Sequence, residues 1–144
     1  MLLNINNYMG NTLSINRLNF KDMQYAIANN MIIISTLEIN NQECLIKNTL
    51  APDEEINVIN DLIQKKNKKK KIIIYGENSS DNSIVKKYYQ LQKLGINNIF
   101  IYMGGLFEWL LLQDIYGNDQ FPTTTEIIDI LKYKGSILET LRDI

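Results

Sequence analysis

The apolar residues of this chain fall into two kinds of pattern. Met31-Ile32-Ile33-Ile34-Ser35-Thr36 and Ile72-Ile73-Ile74-Tyr75 are unbroken runs rich in β-branched residues, without polar alternation. Such runs suit strands covered on both faces of a parallel sheet. Asn98–Tyr102 predicts a further strand, while Leu13–Asn16 and Leu45-Ile46 predict shorter, weaker ones. Between the runs, apolar positions recur at helical spacing. Phe20, Met23 and Ile27 stand at i, i+3 and i+7, with Asn19 placed to cap that helix. Pro52-Asp53-Glu54-Glu55 opens a second helix, with Pro at its start and acids near the positive end of the dipole; Ile56, Ile59, Leu62 and Ile63 are expected on its core side. Ile84–Leu94 predicts a third, with Ile84, Tyr88, Leu91 and Leu94 along its apolar side and Gly95 just past its end. Leu106–Tyr116 is a strongly apolar fourth helix ended by Gly117, and Thr123-Thr124-Thr125-Glu126 reads as a capping box opening a last helix through Lys132.

Strands alternating with helices predict an α/β fold: a central parallel sheet of about five strands, with right-handed crossovers placing helices on both faces. In such sheets ligands sit outside the carboxyl ends of the strands. No internal repeat, linker or transmembrane span is evident, and 144 residues suit a single domain over 1–144. Ile127, Ile128, Ile130 and Leu131 form an apolar stripe that would pack on this domain or on a partner.

Composition narrows the chemistry. With 15 basic and 16 acidic side chains the net charge is −1, so no overall field favours nucleic acid or an anionic membrane. Six lysines among residues 65–71 read either as a basic signal or partner patch, or as the solvated end of a helix. The chain has no histidine, which removes Ser-His and Cys-His nucleophile pairs and most zinc sites. No cofactor and no metal site are expected. One cysteine, Cys44, excludes an internal disulfide framework, and Met1–Asn7 lacks the positive and apolar regions of a signal peptide. A cytoplasmic location is the expectation, with the nucleus as an alternative.

The segment Ile72–Trp109 resembles the second half of a rhodanese domain, the fold shared with cell-cycle phosphatases of that type. It runs from Ile-Ile-Ile-Tyr through a polar loop and an amphipathic helix to Leu-Gly-Ile-Asn-Asn-Ile-Phe-Ile-Tyr-Met-Gly-Gly-Leu-Phe-Glu-Trp. Gly104, Gly105 and Trp109 form its Gly-Gly-x-x-x-Trp motif. Upstream, Leu18–Met23 and Ile32–Thr36 are similar to the family's opening strand, helix and second strand, and Cys44–Leu50 more loosely to its Gly-His-Ile-x-Gly-Ala segment. The resemblance covers about residues 15–117, leaving 118–144 as a helical C-terminal extension.

That resemblance implies that the loop after Tyr75 begins with a catalytic cysteine, whose anionic group is cradled by backbone N–H groups. Gly76 stands at that position here, and the loop Gly76-Glu77-Asn78-Ser79-Ser80-Asp81-Asn82 has two carboxylates and no Cys, Arg or Lys. The family's Asp-x-Arg in the second strand is matched by Ser35-Thr36-Leu37. Ser79 and Ser80 lack an activating partner within the loop and read as turn or N-cap residues. Glu77 and Asp81 are too few for a cation site and read either as an acid/base pair or as acids complementing the helix that begins near Ser83. Cys44 is a candidate thiol or a small core residue, and Trp109 reads as a core anchor. The leading expectation is a catalytically inactive domain that binds an unidentified protein partner. The alternatives are a divergent sulfurtransferase or related phosphatase using a non-standard site such as Cys44, and an unrelated α/β domain binding a small ligand above Gly104-Gly105.

Overall fold

A computed structural model describes residues 15–67 and 69–142. Leu13 and Ser14 of the expected first strand, and Lys68 of the lysine run, lie outside the described residues. Strands β1 (Asn16–Leu18), β2 (Ile32–Ser35), β3 (Ile72–Tyr75) and β4 (Ile99–Tyr102) form one sheet in the order β1-β4-β3-β2, every neighbouring pair parallel. The helices are α1 (Phe20–Ala28), α2 (Pro52–Gln64), α3 (Ser83–Lys93), α4 (Gly105–Tyr116) and the short α5 (Glu139–Arg142), with 3-10 turns at Ile39–Asn41 and Ile130–Tyr133.

The period-two alternation of strand side chains divides the core in two. Ile33, Ile73, Tyr75 and Tyr102 pack with Met23 and Ala26 of α1 and with Leu106, Trp109 and Leu110 of α4. Ile34, Ile72, Ile74, Ile99 and Ile101 pack on the opposite side with Ile59 and Leu62 of α2 and Ile84, Tyr88 and Leu91 of α3. Helices therefore cover both faces, which is why these strands carry isoleucine without polar alternation. Asn19 caps α1 in a reciprocal box: its side chain accepts the Asp22 N–H at 3.0 Å while the Asp22 carboxylate accepts the Asn19 N–H at 2.9 Å.

Several expectations are corrected. The sheet has four strands, not about five, because Leu45-Ile46 bonds elsewhere. The Ile46 N–H goes to the Tyr75 hydroxyl, Leu45 exchanges bonds with Thr124, and Ile46 forms a lone antiparallel bridge with Thr123. The expected helix from Thr123 to Lys132 is absent. Its three threonines are committed to other contacts: the Thr123 hydroxyl donates to Thr125 O and accepts from Gln113, that of Thr124 accepts the Leu45 N–H, and that of Thr125 donates to Glu43 O. The extension accordingly runs through turns, bends and irregular chain up to the Ile130–Tyr133 turn, with α5 its only α-helix among the described residues. Ile127 and Ile130 pack on the core, but Ile128 is 95% exposed and Leu131 60%, so the expected stripe is not one face.

On α2, Ile59 and Leu62 are buried whereas Ile56 and Ile63 are exposed. At about 100° per residue Leu62 lies on one side of Ile59 and the other two lie on the opposite side. The helix is rolled toward Leu62, bringing Val58 inward as well. Leu94 is also exposed: Gly95, at φ +89°, turns the chain so that Ile96 is buried in its place. No helix among the described residues is long and apolar enough to cross a membrane.

Candidate functional site

The loop Gly76–Asn82 leaves the carboxyl end of β3 beside the start of α4. The Gly76 carbonyl accepts the Leu106 N–H at 2.9 Å and the Glu77 carbonyl accepts the Phe107 N–H at 2.8 Å. The loop thus satisfies two of the donors that a helix start leaves unpaired. Gly105 makes this approach possible. It sits at φ +69°, and a Cβ there would lie 2.7 Å from Gly76 O and 2.9 Å from Asn78 N. Gly104 differs, with an ordinary helical backbone beside the Glu108 carboxylate, which accepts the Tyr102 hydroxyl. Burial, and then that carboxylate, raise the Tyr102 phenol far above its ordinary value.

Asp81 folds back over the loop. One carboxylate oxygen accepts the Glu77 N–H and the other the Ser83 N–H, each at 2.9 Å. Asp81 in this way serves the start of α3, where the Asn82 side chain makes no capping bond. The first of those oxygens lies 2.5 Å from where a Cβ on Gly76 would stand. Asn78 accepts the Ser80 N–H through its side-chain oxygen at 2.9 Å and donates its amide to Tyr133 O at 3.0 Å. Ser79, Ser80 and Asn82 are exposed, and Ser83 shares a hydrogen bond with Thr36 at 2.7 Å.

Glu77 is partly buried, and its carboxyl is raised above the usual value by that burial first and by Asp81 second. Asn41, which donates to it at 3.4 Å, opposes the shift. Folding therefore favours the protonated form, so this group's contribution to stability is present in acid and is lost as pH rises through the raised pKa. Glu77→Gln is expected to be more stable than wild type at about pH 7, the advantage disappearing below the ordinary glutamate range near about pH 4. Urea midpoints at the two pH values check this, and an advantage confined to acid would contradict it.

Cys44 is fully buried and lies outside the loop, its thiol donating to Thr125 O at 3.4 Å. Nearby, the buried Tyr75 hydroxyl accepts the Ile46 N–H at 3.1 Å and bonds Thr49 Oγ1 at 2.7 Å; burial raises its pKa well above normal. Trp109, on α4, is wholly buried with its indole N–H donated to Pro122 O at 3.1 Å. Gly104, Gly105 and Gly76–Asn78 are thus brought together, while Cys44 belongs to the core beneath. Among the described residues no group of three His, Cys, Asp or Glu side chains is placed to hold a metal ion.

Residues 28–112 match the family model of the rhodanese-like domain, more than half of the chain. The chain belongs to that family. Solved structures with the same fold include the BH2092 protein of Bacillus halodurans, 24% identical over 73% of this chain and 77% of its own, at a TM-score of 0.52. The Alr3790 protein of Anabaena sp. is 16% identical over 80% of this chain and 97% of its own, at 0.54. Yeast Ygr203w, described as a protein tyrosine phosphatase of the Rhodanese family, is 13% identical over 78% of this chain and 94% of its own, at 0.56. At such identities the likeness is one of fold, and function has to be argued from the site. No curated protein matches the chain. Family membership removes the reading of an unrelated α/β domain.

Two features of this rhodanese-like domain escaped the sequence. One is the return of the Asp81 carboxylate onto the loop. A four-residue spacing to Glu77 was visible, but whether the side chain faced solvent or the Gly76 backbone was not. The other is Tyr133, wholly buried among Cys44, Tyr75, Leu106 and Trp109. Its one sequence signal was an aromatic residue following the isoleucine-rich segment 127–131.

Proposed function

We propose that this rhodanese-like domain is catalytically inactive and serves as a protein-interaction or regulatory module. The observation that carries the reading is the pairing of Gly76 with Asp81. The family resemblance puts the nucleophile at the first position of this loop, where Gly76 has no side chain. The Asp81 carboxylate takes the space where one would begin and accepts two backbone N–H groups of the kind that would otherwise cradle an anion. Its negative charge opposes thiosulfate or a phosphoryl group, and no Lys or Arg in the loop offsets it. A role through contacts is supported by the exposed apolar residues of the C-terminal segment: Ile128, Leu131, Ile137, Leu138 and Leu141.

The test is intact-mass analysis after incubation with thiosulfate, beside a cyanide-dependent turnover assay, on wild type and Cys44→Ser. Neither protein is expected to gain sulfur or to turn over. A persulfide on wild type that is missing from Cys44→Ser would overturn the reading in favour of a divergent sulfurtransferase. Against that outcome stands the burial of the Cys44 thiol against Thr125. Gly76→Cys alone is also expected to stay inactive, because the Glu77 and Asp81 carboxylates would still repel thiosulfate and disfavour the thiolate, with Asp81 Oδ2 only 2.5 Å from where the new Cβ would stand. Adding Asp81→Ala should raise the reactivity of the new thiol at least about ten-fold, equivalent to about 1.4 kcal/mol. Substantial turnover by the single variant would refute this account of the loop.

A further inference from the structure

We infer that residues 129–142 form a strap that gates the inner half of the loop, Gly76–Asn78, with Tyr133 as its plug. This rests on the reading of the domain as an interaction module and adds to it that the strap, which carries the exposed Leu131, Ile137, Leu138 and Leu141, controls access to the inner loop. Tyr133 is the one residue of the strap that is buried, and its hydroxyl has no hydrogen-bond partner among the described residues. Its ring lies in the core cluster of Cys44, Tyr75, Leu106 and Trp109, on the α4 side of the sheet. Its carbonyl accepts the Asn78 amide, the same side chain whose oxygen holds the Ser80 N–H. Two residues further on, Gly135 lies against the loop: a Cβ there would stand 3.6 Å from Asn78 Oδ1 and 3.8 Å from Ser80 Oγ. The strap therefore touches the loop through its backbone at Tyr133 and Gly135, while the Tyr133 ring anchors it in the core.

Apart from Ile130, which packs half-buried on the core, little else holds it down. The Lys132–Glu43 ion pair is solvent-exposed, where such pairs contribute little. Every residue from Lys134 to Arg142 is exposed. Docking buries the ring favourably but strips water from a hydroxyl that gains nothing in return, so the closed state carries an internal penalty. A segment with one buried anchor, a handicapped anchor at that, opens locally at lower free energy than the sheet beneath it. A protein partner that uses the inner loop has to displace this strap, and its apparent affinity falls in proportion to the fraction of molecules that are closed.

Hydrogen–deuterium exchange of the full chain, read in the segments 76–82 and 129–135, tests this with two substitutions of opposite sign. Tyr133→Phe removes the unpaired hydroxyl and keeps the ring, and is expected to slow exchange in both segments by roughly ten-fold. Tyr133→Ala removes the plug and is expected to speed both by at least about ten-fold, with the amides of β2 and α2 unchanged. If Tyr133→Ala fails to fold, Asn78→Ala cuts the bond from the loop side and should accelerate exchange in 129–135. Loop exchange that ignores Tyr133→Ala, a Tyr133→Phe variant that exchanges no more slowly than wild type, or an Asn78→Ala variant that leaves 129–135 unchanged would each overturn the strap. Exchange does not read sulfur transfer, so the strap and the inactive-domain reading fail independently.

Discussion

Gly105→Ala is expected to lower the unfolding free energy by roughly 2–5 kcal/mol, although it adds a single methyl group. Two costs combine. A non-glycine residue is strained at φ +69°, and the added Cβ would press on the Gly76 carbonyl at 2.7 Å and the Asn78 nitrogen at 2.9 Å. Both neighbours are backbone, so neither can swing aside; relief requires parting the loop from α4, which breaks the Gly76–Leu106 and Glu77–Phe107 bonds. Gly104→Ala is the matched control. Its backbone is already helical, and the obstruction is the far end of the Glu108 side chain, which can rotate away at the loss of its bond to Tyr102. It should cost no more than about 1 kcal/mol. Urea unfolding of the two variants side by side decides the matter; equal costs would show that the close approach at Gly105 is not what the double glycine serves.

Trp109→Ala should be about as damaging, at roughly 3–5 kcal/mol. The indole is wholly buried and meets Tyr102 and Phe121 edge-on, at centroid distances of 6.0 and 5.0 Å. Removing it opens a large cavity between α4 and the returning C-terminal segment and also leaves Pro122 O without its indole donor. Trp109→Phe restores part of the volume but not the N–H, and should fall between the two. Because Trp109 is the only tryptophan, the transition has to be followed by circular dichroism. A loss below about 1.5 kcal/mol for Trp109→Ala would mean that the segment 121–133 refills the space.

The strands β2, β3 and β4 were legible because a strand covered on both faces has no reason to carry polar residues, and these runs carry almost none. The helices α1 to α4 were legible from spacing and from their terminators, Asn19, Pro52, Gly95 and Gly117. Misreadings came where local pattern and tertiary demand diverged. Thr123-Thr124-Thr125-Glu126 is a sound capping box in isolation, yet all three threonines bond to Glu43, Leu45, Gln113 or one another in non-helical chain. Ile56, Ile59, Leu62 and Ile63 all satisfy the helical period of α2, and only the roll of that helix on the sheet decided that Ile59 and Leu62 alone of the four would be buried. The candidate site divides in the same way. Gly76, the acids of the loop and the Gly-Gly-x-x-x-Trp motif were all visible as residues, because resemblance works on identity and order.

What the sequence by itself determined was the alternation of strand and helix, the two-sided burial of the sheet and the chemical poverty of the loop, since these depend on residue type and short-range period. Tertiary structure alone decided that the Asp81 carboxylate lies over Gly76, that Cys44 is sealed beneath Thr125 and that Tyr133 reaches the loop from 55 residues away. Those contacts join positions whose separation along the chain carries no periodic signal, and only the folded backbone brings them within hydrogen-bonding or van der Waals distance.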